Sequence, residues 1–383
     1  METLINDRYT GNPNDRVLDL IIARRGTGAP VIGMYCGYAP VELVRAMGAS
    51  PIFLCSFSRK TIPAAETMLP SNLCPLIKSS FGFIKTDSCP FYALSEAIIG
   101  ETTCDGKKKM FELIGHIKPT HIMDLPQLPD EVEALATWTV MVHKLIVFLE
   151  KTFGTKITAE RIESEIRETN RKNRLMNDLF AYAAHFPPAI SWSEMYDVIG
   201  LELVSNSDEL HRILEEVTVK LDRRINRGEF IGSTHSPRVL VSGCPVGGDA
   251  AKVFRTIEEA GGVIVAMEAC SGMKGYSIEI DENTGDPVSA LARAYLKIPC
   301  SCMSPNQRRF DMLDKMIGRF RPDAVIDVIL QACHSYNIES VKVGECVQQK
   351  HALPFLKIET DFSQSDVGQI RTRVEALLEM CRQ

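Results

Sequence analysis

Several short apolar segments in this chain are each followed at once by a cysteine, and this pattern constrains the fold more than any other feature. Residues 30–35 precede Cys36, and residues 238–243 precede Cys244. A helical pattern and a further apolar segment come after each of them. Strands that alternate with helices form parallel sheets with right-handed crossovers. The pattern therefore predicts an α/β protein with two Rossmann-like parallel-sheet domains.

Helical periodicity divides the chain into three sections. Residues 131–229 show long charged and apolar runs at helical spacing, without convincing strands. We expect an N-terminal Rossmann-like domain at 1–130, a helical linking section at 131–233 and a C-terminal Rossmann-like domain at 234–383. A helix is predicted at 107–117, and further strands are predicted at 50–54, 121–125, 263–269, 324–330 and 354–359.

Charge and hydropathy exclude two classes of partner. The 383 residues carry 43 lysines and arginines against 49 acidic residues, without a basic stripe that could neutralise phosphates. We therefore expect no nucleic acid partner. No window approaches the roughly 18 consecutive apolar residues of a membrane span. The first residues are polar and do not resemble a signal peptide, so we expect a cytoplasmic protein.

The twelve cysteines are candidates for metal or redox chemistry. Cytosolic thiols stay reduced, so a disulfide framework is not expected. Any single cysteine could simply be a small buried hydrophobe. Their positions favour a site, however, because ligands of parallel sheets collect beyond the carboxyl ends of the strands. The cysteines that directly follow predicted strands are Cys36, Cys55, Cys244, Cys270 and Cys333.

Two more cysteines precede predicted helices. Pro75 follows Cys74 at a first helical position, and Asp105 follows Cys104. The free amides and partial positive charge of a helix N-terminus stabilise a thiolate. We therefore expect both thiols to suit a metal centre.

The spacing of the cysteines argues against a zinc ribbon. Thiolates select zinc, copper(I) or iron–sulfur clusters, and zinc ribbons use C-x2-C pairs. The closest pair in this chain is Cys300 and Cys302, and no ferredoxin C-x2-C-x2-C run occurs. The long separations predict that both domains contribute ligands to one cluster in the interdomain cleft.

Three features beside the candidate cysteines have competing interpretations. The turn at 243–248 matches neither the dinucleotide fingerprint nor the P-loop, so nucleotide binding is not favoured there. The run Lys107 to Lys109 is either a solvated helix face or a surface that binds phosphate or docks an acidic partner. His334, beside Cys333, is a candidate catalytic proton donor or only a cap at the strand end.

Several motifs carry a resemblance to a known family. YCGYAPVELVRAMGA, NLCPLIKSSFGFIKTDSCP, GETTCDGKKKM and DVILQACH resemble the 2-hydroxyacyl-CoA dehydratase family over nearly the whole chain. Within that family, NLCPLIKSSFGF, GCPVGG, CSCMSPN and IETDFSQSDVGQI are most similar to the double-cubane cluster proteins.

The resemblance implies the cofactor and its ligands. It implies an oxygen-sensitive iron–sulfur centre of two sulfide-bridged 4Fe-4S cubanes, with three cysteines on each. A single cubane uses at most four thiolates, and at least seven cysteines lie in suitable loops. The expected metal ligands are Cys36, Cys74, Cys104, Cys270, Cys302 and Cys333. Cys244 or Cys300 could replace Cys270 or Cys302, whereas Cys346 and Cys381 are expected to be structural.

The resemblance also implies partners and activity. The expected function is a homodimeric iron–sulfur reductase component of anaerobic metabolism, which accepts low-potential electrons from an ATP-hydrolysing iron–sulfur activator protein and reduces a small-molecule substrate. The alternative is a 2-hydroxyacyl-CoA dehydratase subunit, which eliminates water by a ketyl radical mechanism. A non-catalytic electron-storage module is a third hypothesis. The physiological substrate is left open, because pocket shape and not the ligand motifs decides it.

Overall fold

The first half of the chain builds a four-stranded parallel sheet. The computed structural model describes residue 4 and residues 13–202 and 207–382. The strands are β1 (Val31–Met34), β2 (Ser50–Phe53), β3 (Ala97–Glu101) and β4 (Thr120–Met123), in the order β2-β1-β3-β4. The helices are α1 (Pro13–Gly26), α2 (Val41–Ala46), α3 (Ile62–Ala65), α4 (Pro75–Lys85), α5 (Pro90–Leu94) and α6 (Asp105–Gly115).

Four helices follow the first sheet. They are α7 (Ala134–Phe153), α8 (Ala159–Phe180), α9 (Trp192–Glu202) and α10 (Ser207–Asn226). Gly154 ends α7 in the left-handed conformation, with φ of 68°. Thr158 begins α8, where its hydroxyl accepts a hydrogen bond from the Arg161 amide.

The last part of the chain builds a second parallel sheet with the same strand order. Its strands are β5 (Arg238–Gly243), β6 (Val263–Glu268), β7 (Ala324–Leu330) and β8 (Phe355–Thr360), in the order β6-β5-β7-β8. Every residue of β5, β6 and β7 is buried, as expected for strands covered by helices on both faces. The helices are α11 (Lys252–Glu259), α12 (Pro287–Tyr295), α13 (Gln307–Phe320), α14 (His334–Glu345) and α15 (Val367–Met380).

Each sheet has a crevice where its strand order reverses. In the first sheet the chain leaves β1 for β2 on one side and returns to β3 on the other, and β5 and β7 have the same relation in the second sheet. Such a switch point opens a crevice at the carboxyl ends of the strands. Cys36 and Cys104 flank the first crevice, and Cys244 and Cys333 flank the second.

The segment around α12 crosses from the second sheet to the first. Ile280 and Leu291 pack in the hydrophobic core that contains Trp138 of α7. The Tyr38 hydroxyl donates a hydrogen bond to the Ile298 carbonyl at 3.0 Å. This crossing holds the loop that carries Cys300 and Cys302 against the first sheet.

The α/β prediction with two Rossmann-like sheets is confirmed. The strands 238–243 and 324–330 match their predicted bounds, and the other predicted strands and the helix at 107–117 are shifted by a few residues. Strand β3 and helix α12 were not predicted. Within the described residues, no helix is both long and apolar enough to cross a membrane.

Candidate metal centre

Cysteines from both halves of the chain meet in two adjoining groups at the carboxyl ends of the two sheets. The thiols interact within each group, and Cys36 and Cys302 lie in the same group although they come from different halves of the chain. We define the first cysteine group as Cys74, Cys104, Cys244 and Cys333, and the second cysteine group as Cys36, Cys55, Cys270, Cys300 and Cys302.

Helix N-termini position three members of the first group. Cys74, Cys104 and Cys333 are the N-cap residues of α4, α6 and α14, which confirms the predicted helix starts after Cys74 and Cys104. The hydrogen bond with Cys333, together with burial, raises the pKa of the Cys74 thiol, against the amides of α4. Those amides are suited to a thiolate ligand.

Cys244 completes the first group from a tight turn after β5. Its thiol is buried and accepts a hydrogen bond from the Leu330 amide at 3.3 Å. Its hydrogen bond with Cys333 is the largest cause of the raised pKa of that thiol. Gly243 makes the turn possible, with φ of 111° and no room for a Cβ atom, which would lie 2.2 Å from the Val328 carbonyl oxygen.

The Lys107 ammonium contacts two cysteines of the second cysteine group. It is 2.6 Å from the Cys36 sulfur and 4.0 Å from the Cys55 sulfur. Burial raises the pKa of the Cys36 thiol, and the Lys107 charge opposes this effect. Burial would lower the pKa of Lys107, but Cys36 and Cys55 raise it above its ordinary value. Glu101 lies nearby, and burial raises its pKa to about 7.

The lysine run that contains Lys107 therefore has two different environments. Lys107 is only 7% exposed, so it belongs to neither a solvated face nor a docking surface. Lys108 and Lys109 are exposed and pair with Asp105 and Glu112, at 3.0 Å and 2.5 Å.

Cys300 and Cys302 hydrogen-bond to each other within the second group. The hydrogen bond from Cys302 lowers the pKa of the Cys300 thiol to about 5, against the effect of burial, and Lys274 acts in the same direction. The same hydrogen bond raises the pKa of Cys302. The Tyr38 hydroxyl lies 3.7 Å from the Cys302 sulfur. Cys300 is thus the more acidic of the pair.

A buried ionic network holds Lys274, whose charge acts on Cys300. Glu268, at the end of β6, binds Lys274 at 2.6 Å and Arg309 at 3.0 Å. Burial alone would raise the pKa of Glu268, but both cations hold it below its ordinary value. Lys274 also donates to the Tyr336 hydroxyl at 3.1 Å. Sequence reasoning missed this network, although a glutamate inside an apolar strand is a signal that could have found it.

The spacing of the thiols exceeds that of a single-ion site. Four thiolates around one zinc ion lie about 3.8 Å apart, given zinc–sulfur bonds of about 2.3 Å. Among the described residues, no three cysteine sulfurs lie within 4.8 Å of one another. The sulfur atoms of the two groups are therefore not arranged around one ion, and their soft donors suit a larger cluster of iron and sulfide.

Asp314, Cys346 and His351 form a separate cluster whose ligand atoms lie within 4.8 Å of one another. A π-helical turn at Cys346–Lys350 places Cys346 and His351 on the same side. Asp314 accepts a hydrogen bond from His351 at 2.7 Å and pairs with Lys350. Ordinary ion pairing accounts for this cluster. Cys381 hydrogen-bonds to the Leu377 carbonyl at 3.3 Å, as a helical cysteine does.

The structure brings all six predicted ligands into the two groups. The groups also contain Cys244 and Cys300, which the sequence left as alternative ligands, and Cys55, whose strand-end position was visible in the sequence. Cys270 is exposed to solvent. His334 lies in the first turn of α14, where it is exposed and hydrogen-bonds to no other described side chain.

Comparisons with known proteins point to one family. The family model for the 2-hydroxyglutaryl-CoA dehydratase D-component matches residues 36–381. The chain is 43% identical to a putative dehydratase subunit, YjiM, of Escherichia coli K12, over 92% of each chain. It is 23% identical to the (R)-phenyllactyl-CoA dehydratase beta subunit of Clostridium sporogenes, over 92% of each chain. It is 22% identical to lactoyl-CoA dehydratase subunit beta of Anaerotignum propionicum, over 96% of each chain. The chain therefore belongs to the 2-hydroxyglutaryl-CoA dehydratase D-component family.

Proposed function

We propose that this protein holds an iron–sulfur centre in the two cysteine groups and is a reductase component for a small-molecule substrate. One observation carries the proposal: four thiols of the first group adjoin five of the second. A single cubane uses at most four thiolates. The surplus favours two linked cubanes.

We assign three ligands to each cubane. Cys74, Cys104 and Cys333 would hold the first, and Cys36, Cys270 and Cys302 would hold the second. Within the second group, Cys300 is the alternative to Cys270 or Cys302, and Cys244 lies with the ligands of the first cubane. When bound, such a centre stores electrons at low potential and delivers them to a substrate. The helix N-termini of the first group would donate amide hydrogen bonds to the bound sulfur atoms.

Buried ammonium groups and a hydroxyl around the proposed ligands suit a negatively charged centre. Lys107 and Lys274 bring one buried ammonium from each half of the chain. Thr103 lies 3.2 Å from the Cys36 sulfur, within hydrogen-bond distance. Most of the cysteines are buried or partly buried, which excludes bulk water from their sulfur atoms, whereas Cys270 is exposed. We therefore place the access of a small substrate at Cys270.

Electrons would come from a separate ATP-hydrolysing activator. The sequence contains no G-x-x-x-x-G-K-[ST] motif, so a P-loop cannot supply the ATP chemistry. Coupling hydrolysis to electron transfer in a partner would allow reduction of a cluster with very low potential. We propose a homodimer as the working form.

A dehydratase subunit is the second candidate function. The family description and the names of two relatives favour it, because those relatives are beta subunits of dehydratases that act on CoA thioesters. In that case the chain would work beside a different subunit, and the substrate would be a 2-hydroxyacyl-CoA.

One assay separates the two functions. The anaerobic protein is mixed with an ATP-hydrolysing iron–sulfur activator, ATP, and either acetylene or a 2-hydroxyacyl-CoA. Ethylene is the expected product, and it should require both ATP and activator. Formation of enoyl-CoA without ethylene would replace the proposal by the dehydratase function. Equal turnover with dithionite alone would contradict the need for a partner, and no product from a cluster-loaded protein would favour electron storage.

A further inference from the structure

The buried lysines of this protein differ in what balances their charge. Four lysines are buried among the described residues: Lys78, Lys107, Lys252 and Lys274. Three of them pair with a carboxylate, namely Lys78 with Glu66, Lys252 with Asp366 and Lys274 with Glu268. Among the described residues, no carboxylate forms an ion pair with Lys107.

Glu101 is the carboxylate on which the Lys107 charge acts, but it forms no ion pair with this lysine. It is fully buried at the end of β3, where one of its oxygens accepts hydrogen bonds from the amides of Tyr38 and Ala39, at 3.0 Å and 2.7 Å, and the other accepts none from the described residues. The Lys107 ammonium instead lies within hydrogen-bond distance of the sulfur atoms of Cys36 and Cys55. Its own amide also points at the Cys104 sulfur, at 3.5 Å.

A buried ammonium without an ion-pair partner is costly, since desolvation of a charge exceeds what neutral dipoles return. Neutral thiols do not supply the missing negative charge. Metal-bound cysteines do, because a thiol loses its proton when it becomes a ligand. The position of Lys107 thus fits a state in which the surrounding sulfur atoms are anionic.

We infer that Lys107 compensates the charge of the bound centre at the junction of the two cysteine groups, and thereby sets its reduction potential. This inference rests on the proposed function. The ammonium stabilises the more negative, reduced state of the centre. Its removal should make the centre harder to reduce.

The test measures the midpoint potential of the reconstituted full-length protein by anaerobic redox titration with spectroscopic detection. In Lys107→Met, the ratio of reduced to oxidised centre at a fixed potential should fall at least tenfold, which is about 59 mV for one electron. Lys107→Arg, which keeps the charge, should stay near wild type. Lys108→Met removes a lysine from the exposed face of the same helix and should leave the potential unchanged.

Stability of the iron-free protein separates charge compensation from a structural role. Lys107→Met should not lower the denaturant midpoint of the iron-free form, because methionine removes an unpaired buried charge there. A lower midpoint together with an unchanged potential in the loaded form would overturn the inference. If Lys107→Met binds no centre, binding by Lys107→Arg supports the inference, and loss in both variants contradicts it. A wild-type protein that binds no iron and sulfide would refute the proposed function itself.

Discussion

Cys74, Cys104 and Cys333 share one local environment, although up to 259 residues separate them in the chain. Each occupies the N-cap of a helix, so its sulfur faces free backbone amides. Cys381 lies instead at the C-terminal end of α15, where it hydrogen-bonds to a carbonyl. The backbone thus distinguishes candidate ligands from a helical cysteine.

Replacing any one of the three N-cap cysteines with alanine should remove about half of the bound iron or more, because each would be one of three ligands to a cubane. Thermal stability should fall with the iron, since a centre bound only by the folded state stabilises that state. Cys381→Ala is the matched control and should retain its iron. Equal iron per chain in all four variants, measured after anaerobic reconstitution, would refute the assignment.

At the scale of elements, the tight turn at the end of β5, which leads into the second crevice, depends on Gly243. A Cβ atom at Gly243 would meet the Val328 carbonyl of the neighbouring strand β7, and the positive φ adds strain for any other residue. The substitution would also displace Cys244, the next residue.

Gly243→Ala should therefore lower the free energy of unfolding by about 2 kcal/mol or more. Gly275→Ala is the control, because its added Cβ atom would meet no heavy atom within 4 Å and its φ is ordinary. Denaturant unfolding of the iron-free proteins measures both changes. A loss at Gly243 no larger than that at Gly275 would show that the turn tolerates a side chain.

Local sequence patterns predicted the elements that carry their own signal. Strands β5 and β7 are predominantly apolar and were found with their observed bounds. Strand β3 was missed because its five residues end in Gly100 and Glu101 and follow a segment rich in proline, serine and cysteine. Helix α12 belongs to the second half of the chain but packs in the hydrophobic core that contains Trp138, beside the first sheet. Local periodicity cannot show such a long-range contact.

The candidate site was predictable to the same extent. Strand ends and helix starts pointed to five of the six proposed ligands, and Cys302 was favoured for its position in a loop. They did not predict the charges around the ligands. Lys107 looked like its two neighbours in a lysine run. Its spacing to Met110, Phe111 and Ile114 places it on the buried face of α6, and this helical spacing was the signal that three consecutive lysines concealed. The contact between Lys107 and Cys36 depends on tertiary packing.

At the scale of the whole molecule, the proposed ligands come from both sheets, at positions between 36 and 333. The segment around α12 crosses to the first sheet, and it also brings the loop that carries Cys300 and Cys302 to Tyr38. A centre bound in this way would tie the two halves together. Its binding energy would then contribute to the stability of the complete chain.

Quantitation of iron and acid-labile sulfide in the anaerobically purified protein decides whether the two cysteine groups hold an iron–sulfur centre. We expect a brown protein that bleaches in air and contains more iron and sulfide than one cubane per chain, about eight irons for two cubanes. The surplus of thiols in the two cysteine groups is the reason. Stoichiometric zinc without sulfide would contradict the presence of an iron–sulfur centre.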